Sequence, residues 1–265
     1  MDKNPTAVQG KVAQDEAPTA VYRPEGGQKV KGLFSTQTVE KVGTGTTQRK
    51  TISKMYWFAK QNDAGQVEVQ PLNKNMVPAG TVTNVPLEDF LAKYNPEPEM
   101  YVKTVFPKMQ ELTRTVQRAE EQRQRGALYS AQFEYENAIA VDEENVRANF
   151  GLGLTYMERG DSTKAKDILE RIVGLDAAFA PEHKHLFNDF GISLRKSRMV
   201  DQAIEYYTRA LTMTENDENL HYNVARAYYE KGDLAKCREH LSRARELNPD
   251  HEEVVKFLTF LDTKK

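Results

Sequence analysis

The sequence holds a single cysteine, Cys237, in 265 residues. One thiol cannot form an internal disulfide, and a zinc ribbon would need four cysteines. No apolar run approaches the roughly 20 residues that a membrane-spanning helix requires. Residues 1–20 also lack the apolar segment of a secretory signal. These absences predict a cytoplasmic protein that has no membrane association and no disulfide.

Charge of one sign is not in excess either. Lys and Arg number 37 against 39 Asp and Glu, which leaves a net charge of −2. No global basic field therefore attracts nucleic acid or an acidic membrane surface. Hydrophobic residues make up 39% of the chain, a share that allows a folded core.

Arrangements that carry catalytic or cofactor chemistry are missing from the sequence as well. We find no paired carboxylates, Ser/His/Asp set or nucleotide-binding pattern, and "GTGTT" (43–47) lacks the lysine and helix of a phosphate loop. Cys237, Glu239 and His240 are close in sequence, but on a helix at about 100° per residue their side chains diverge. We therefore predict a protein that is not an enzyme and binds neither cofactor nor metal.

Composition predicts three segments along the chain. Residues 1–30 contain few apolar side chains and predict a disordered tail. Residues 31–95 predict a small β-rich module, in which "TISKMYWFAKQ" (51–61) and "QVEVQPL" (66–72) form a hairpin around the turn "NDAG". A short strand within 80–85 and an amphipathic helix over 86–94 complete it. Residues 96–265 predict helix, beginning with one long helix that Pro107 kinks.

A period of 34 residues runs through the helical segment. Residues 218–249 align with 185–215 at that offset, which matches Cys237 with Ala203, and a further copy spans 145–176. A fourth copy ends in 125–145 and departs most, because Arg118 and Gln122 stand where apolar residues are expected. Small residues recur where paired helices would cross, and glycines recur at the turns between them: Ala131, Gly153, Ala165, Gly191, Ala203, Ala225, Gly126, Gly160 and Gly232.

This pattern resembles the tetratricopeptide repeat family, whose repeat is a helix–turn–helix of 34 residues. The resemblance implies a mainly α fold, a helix–turn–helix solenoid coiled into a right-handed superhelix, after the small N-terminal β-rich module and disordered tail. It places repeats at about 112–145, 146–179, 184–217 and 218–251. A capping helix over 252–263 would cover the open end of the solenoid.

The resemblance also implies a partner, because members of this family bind peptides on the concave face lined by the first helix of each repeat. Arginine, asparagine and aromatic side chains at these positions suit a carboxylate, a peptide backbone and an apolar anchor. The lysine–asparagine pair that holds chaperone tails in some members is not matched, since Val116 and Glu120 stand there. Mapped onto this sequence, the groove positions are Arg147, Phe150, Leu154, Met157, His185, Asn188, Ile192, Arg195, Asn219, Tyr222, Asn223, Arg226 and Tyr229.

We therefore predict a protein-binding scaffold or adaptor, and two other functions remain open. The β-rich module carries basic and aromatic residues that would suit single-stranded nucleic acid: Lys50, Lys54, Tyr56 and Trp57. The closing helix carries Phe257 and Phe260, which would suit self-association in a homo-oligomeric architectural subunit. A groove that is merely solvated, with no fixed ligand, is the remaining alternative.

Overall fold

The computed structural model describes residues 20–22, 28–42, 49–180, 183–214 and 216–263. Residues 1–19 and 23–27 of the disordered tail predicted over residues 1–30 lie outside the described residues, as does the turn over 43–47. Within the described part of that predicted tail, Val30 is fully buried and Val21 pairs with Lys31, so these residues belong to the folded part of the chain instead. The chain divides into two compact units, Met1–Glu111 and Leu112–Lys265.

An antiparallel sheet forms the centre of the first unit. Its strands are β1 (Lys31–Val42), β2 (Arg49–Gln61), β3 (Val67–Pro71), β4 (Thr83–Val85) and β5 (Asn95–Pro96), in the order β4-β3-β2-β1-β5. As predicted, β2 and β3 pair as a hairpin, with Trp57 opposite Pro71 and Gln61 opposite Val67. The sequence had not identified β1, which pairs with β2 along its whole length.

A short helix, α1 (Leu87–Lys93), buries Phe90 in the first unit. The Phe90 ring meets the Phe34 ring edge to face, with 4.7 Å between their centres. Leu91, which the predicted apolar face includes, is instead exposed. The helix therefore covers this part of the core mainly through Phe90.

The predicted long helix begins with α2 (Pro98–Met100), continues through a π-helical turn (Tyr101–Val105) and becomes α3 (Phe106–Gln124). The backbone N–H of Phe106 donates to the Tyr101 carbonyl, five residues back. Pro107 has no N–H to donate, so wider turns before it accommodate the missing hydrogen bond. The irregularity predicted at Pro107 therefore takes the form of a π-helical turn that buries Tyr101 and Val105.

Eight further helices follow α3 in the described part of the second unit. They are α4 (Leu128–Val141), α5 (Val146–Glu158), α6 (Ser162–Val173), α7 (Lys184–Lys196), α8 (Val200–Leu211), α9 (Glu218–Lys231), α10 (Leu234–Leu247) and α11 (Glu252–Thr263). Of these, α3–α4, α5–α6, α7–α8 and α9–α10 form pairs, and α11 follows the last pair. A 3₁₀ turn (Asp176–Phe179) lies in the longer connection after α6 and buries Phe179. In the part of the chain that the structure describes, no helix is long and apolar enough to cross a bilayer.

Turn residues in left-handed conformation recur where the first helix of a pair ends. Gly126, Gly160 and Gly232 have φ values of 78°, 76° and 87°. Arg198 occupies the equivalent turn after α7 with a φ of 60°, a conformation that costs an L-residue more than glycine. Asn145, Asp161, Asp217 and Asp233 cap the helices that follow them by accepting a backbone N–H.

Small residues bring neighbouring helices close together, both within a pair and between successive pairs. A Cβ added to Gly151 would lie 2.1 Å from the Tyr135 ring, and one added to Gly191 would lie 2.5 Å from the Tyr207 ring. Cys237 is fully buried beside Ala225, Leu241 and Ala244 in the cluster around α9, α10 and α11. The sequence alignment of Cys237 with Ala203 therefore corresponds to a shared buried position, because Ala203 is fully buried too.

Candidate functional site

One face of α9 presents an aromatic residue, a cation and a second aromatic residue in a row. Tyr222, Arg226 and Tyr229 are spaced four and three residues apart, so they share a face and span about 10 Å along the helix. All three side chains are half-buried, so each keeps part of its surface accessible. The Arg226 guanidinium carbon lies 5.7 Å from the centre of the Tyr222 ring.

Two phenylalanines of α11 face these residues. The Phe257 ring lies 5.3 Å from the Tyr229 ring and 6.3 Å from the Tyr222 ring, centre to centre. Phe260 lies 6.0 Å from Tyr229 and is 40% exposed. The structure therefore joins two features that the sequence treats separately, the last set of groove positions and the proposed self-association residues.

Together these side chains line a cleft of about 500 Å³, which we call the α9–α11 cleft. Aromatic rings supply the apolar part of its lining, and charged side chains lie among them: Tyr222, Arg226, Tyr229, Glu230, Glu253, Lys256, Phe257 and Phe260. A concave aromatic surface with a few charged groups is a usual form of binding site.

The charges of the cleft are compensated unevenly. Glu230 pairs with Arg195, the Glu253 carboxylate lies 3.2 Å from His251 Nδ1, and Lys256 Nζ lies 2.7 Å from Glu252. The hydrogen bond and charge of Glu252 raise the pKa of Lys256, so this side chain stays protonated.

Arg226 differs from the other charged residues of the cleft. Within the part of the chain that the structure describes, it makes no ion pair with an acidic side chain, and the Tyr222 ring is the neighbour it lies over. An arginine stays charged at all physiological pH values. Arg226 is therefore a permanent positive charge that no ion pair engages among the described residues, in a cleft that Glu230 and Glu253 also line.

The groove positions on α5 are mostly core. Phe150 has no exposed surface and packs against Phe190 with 5.3 Å between ring centres, so it is not the accessible lining residue that the sequence predicts. Leu154 and Met157 are 7% and 8% exposed, for the same reason of close packing. Arg147 is exposed, but both its Nε and its Nη2 donate to Glu120.

The groove positions on α7 do not join the α9–α11 cleft. Arg195 is only 8% exposed, and its guanidinium forms an ion pair with Glu230. His185 is exposed, and Asn188 and Ile192 are half-buried, without lining the cleft. On α9 itself, the Asn219 side-chain oxygen accepts a hydrogen bond from His251 Nε2 at 3.2 Å, and Asn223 is half-buried outside the lining.

Sequence reasoning missed a recurring signal for these ion pairs. Arg123 pairs with Glu158, and Arg195 pairs with Glu230, and both pairs are separated by 35 residues. In both pairs, an arginine on the first helix of one repeat contacts a glutamate on the first helix of the next repeat, at a separation of one 34-residue period plus one residue. An Arg–Glu offset of 35 would have identified Arg195 as already partnered.

Three of the residues proposed for nucleic-acid binding make contacts within the first unit. Lys54 forms an ion pair with Glu97. The hydrogen bond to Glu97 and the charge of this carboxylate raise the pKa of Lys54. Trp57 donates its indole N–H to Thr36 at 2.9 Å, and Tyr56 is half-buried against the cluster around Leu33. The Lys50 side chain lies outside the described residues, and Tyr56 and Trp57 are half-buried, so the nucleic-acid hypothesis stays a prediction.

The sequence stretch around Cys237 holds contacts of another kind. Burial raises the pKa of the Cys237 thiol to about 11, so it stays protonated rather than nucleophilic. His240 faces His221 of α9 with 3.0 Å between their Nδ1 atoms, and its ring stacks on Tyr228. Across the residues that the structure describes, no group of three or more His, Cys, Asp or Glu side chains is placed to hold a metal ion.

The paired helices, left-handed turns and small crossing residues define a helical repeat protein. Residues 117–180 and 194–259 each match a family model described as tetratricopeptide repeat. These two regions therefore contain tetratricopeptide repeats, as the 34-residue period predicts.

Several solved structures are similar to this chain. MamA MSR-1 is 22% identical over 52% of this chain and 77% of its own, with a TM-score of 0.39. PilF of Pseudomonas aeruginosa is 16% identical over 55% of this chain and 64% of its own, with a TM-score of 0.42. YrrB, described as a TPR protein with an unusual peptide-binding site, is 19% identical over 55% of this chain and 90% of its own, with a TM-score of 0.29. A comparison with curated proteins gives no significant match.

Proposed function

We propose that the protein is a non-catalytic adaptor that binds a segment of a protein partner in the α9–α11 cleft. The observation that carries the proposal is the group of four accessible aromatic rings around Arg226: Tyr222, Tyr229, Phe257 and Phe260. Tyrosine and arginine in a concave, partly desolvated surface are the residues that dominate binding energy at protein interfaces.

The packing of the cleft supports binding without rearrangement. Phe257 contacts both tyrosines of α9, and Phe260 contacts Phe257 at 6.3 Å between ring centres. The rings therefore hold one another in place before a partner arrives, which lowers the entropy that binding must offset. Helices α9 and α11 also share a buried cluster with α10 that fixes their backbones.

The test is a capture experiment from the native cell, followed by mass spectrometry, with the wild type and two variants. Phe257→Ala removes the ring that joins the two tyrosines, so we expect captured partners to be lost. Phe133→Ala is the matched control, because Phe133 is 63% exposed on α4 and outside the cleft lining. Capture of the same proteins by both variants would exclude the cleft as the site.

The same experiment tests the architectural alternative. If the protein captured by a tagged chain is an untagged copy of the chain, and Phe257→Ala abolishes that capture, the cleft serves self-association. Phe260, 40% exposed, is the residue that favours this outcome. Capture of a different protein with a monomeric wild type in sedimentation would exclude it.

A further inference from the structure

We infer that the partner segment carries an acidic side chain flanked on both sides by apolar side chains. This inference rests on the proposed function of the α9–α11 cleft and specifies the chemistry of what it binds. Charge, spacing and the position of Arg226 within the row of aromatics each contribute.

The charge argument begins with the arginines of the first helices. Arg123, Arg147 and Arg195 each pair with a glutamate, Glu158, Glu120 and Glu230 respectively. Arg226 is the member of this series that has no such acidic partner in the described chain, and it lies in the cleft. Glu230 pairs with Arg195 and Lys256 pairs with Glu252, so among the described residues Arg226 is the cation of the cleft that an incoming carboxylate can engage without displacing a partner. Burial of that charge by a neutral partner would be costly, whereas a carboxylate forms a charge-assisted hydrogen bond.

The spacing argument uses the row on α9. Arg226 lies between Tyr222 and Tyr229, about 6 Å from one and 4.5 Å from the other along the helix axis. Phe257 stands opposite both tyrosines, and Phe260 stands opposite Tyr229. Aromatic surface is therefore present on both sides of the cation. A partner chain must continue past its carboxylate in both directions to cover that surface.

This geometry favours the side chain of an internal Asp or Glu over a C-terminal carboxylate. A chain that ended at Arg226 would reach the aromatic surface on one side and leave the other side uncovered. An extended segment rises about 3.3 Å per residue, so roughly three residues span the 10 Å between the two tyrosines. A helical segment covers the same span in about seven residues.

Selection from a phage-displayed library of random 12-residue peptides, performed on the full chain, tests the inference. We expect enriched sequences to contain Asp or Glu between apolar residues three to seven positions apart. The peptides are then synthesised with blocked termini, and their affinities are measured with the acidic residue and with its amide. Replacing Glu by Gln, or Asp by Asn, should weaken binding about tenfold or more, because a charge-assisted hydrogen bond is lost.

The matched protein variants are Arg226→Gln and Arg243→Gln. Arg226→Gln should weaken the acidic peptide about tenfold and remove most of the difference between acid and amide, since the two groups interact directly. Arg243 pairs with Glu246 of its own helix α10 outside the cleft lining, so Arg243→Gln makes the same charge change and should leave peptide affinity unaltered. Circular dichroism confirms that both variants are folded.

Two outcomes separate the inference from the proposed function. The first concerns peptides whose binding is lost with Phe257→Ala, which shows that they bind in the cleft. If such peptides lack an acidic residue, or require a free C-terminus, or bind Arg226→Gln normally, the inference is overturned and the cleft remains the binding site. Failure to obtain any peptide whose binding depends on Phe257 overturns both.

Discussion

Single residues decide how closely the paired helices approach. Gly191 on α7 lies against Tyr207 of α8, and both are buried. A buried tyrosine ring fixed by aromatic neighbours has little room to move, and Tyr207 contacts Phe187 and Tyr206 at ring-centre distances of 6.0 Å and 5.8 Å. Close packing of this kind makes one added methyl group costly.

Gly191→Ala should therefore destabilise the protein by about 1–3 kcal/mol, the usual cost of overpacking a core. Its Cβ would lie 2.5 Å from the Tyr207 ring, a distance that real structures avoid. Gly174→Ala is the control, because its Cβ would meet only backbone oxygens at 3.3 Å and beyond. Chemical denaturation measures both, and equal stability losses in the two variants would contradict the prediction.

At the scale of elements, the 34-residue period gives the helices of the repeats, because it reports where small residues must let two helices cross. Strand β1 gave no such signal. Leu33 and Phe34 are adjacent and both buried, in two different clusters, so β1 lacks the alternation of a strand with one wet face. The sequence pattern did not predict the α9–α11 cleft either, because the contacts of Phe257 with Tyr222 and Tyr229 join the last repeat to a helix that lies outside the 34-residue period.

The contact between α9 and α10 also contains a pH-dependent element. The pKa of His240 lies below its ordinary value of 6.5, because burial and the neighbouring His221 disfavour the charged ring. Lys236 acts in the same direction and Glu239 opposes it. The unfolded state therefore binds more protons than the folded state as the pH falls below 6.5, and stability decreases in that direction.

We expect the melting temperature to fall between pH 7.5 and pH 5, and to fall less in His240→Gln, which removes the titrating ring. Thermal unfolding of the wild type and the variant across this range measures the difference. Parallel curves for the two proteins would show that the pair of imidazoles does not contribute.

At the scale of the whole molecule, each unit draws its buried residues from its own part of the chain. The two clusters of the second unit comprise residues between Val116 and Leu261, with Leu112 packed at the edge. The clusters of the first unit comprise residues between Val30 and Val105, with partly buried neighbours that extend to Ala20 and Met109. A unit with its own core meets the requirement for independent folding.

We therefore propose that residues 106–265 fold alone and retain the α9–α11 cleft. The fragment begins at Phe106 so that α3 stays whole, and it contains every cluster member of the second unit. Because contacts in a repeat array are made mainly between neighbouring repeats, removal of the sheet should leave the last repeat and α11 unchanged. We expect a cooperative thermal transition by circular dichroism and an affinity for a selected peptide within about twofold of the full chain's. A fragment that unfolds without cooperativity would contradict independent folding, and a folded fragment with lost affinity would place part of the binding site outside the repeats.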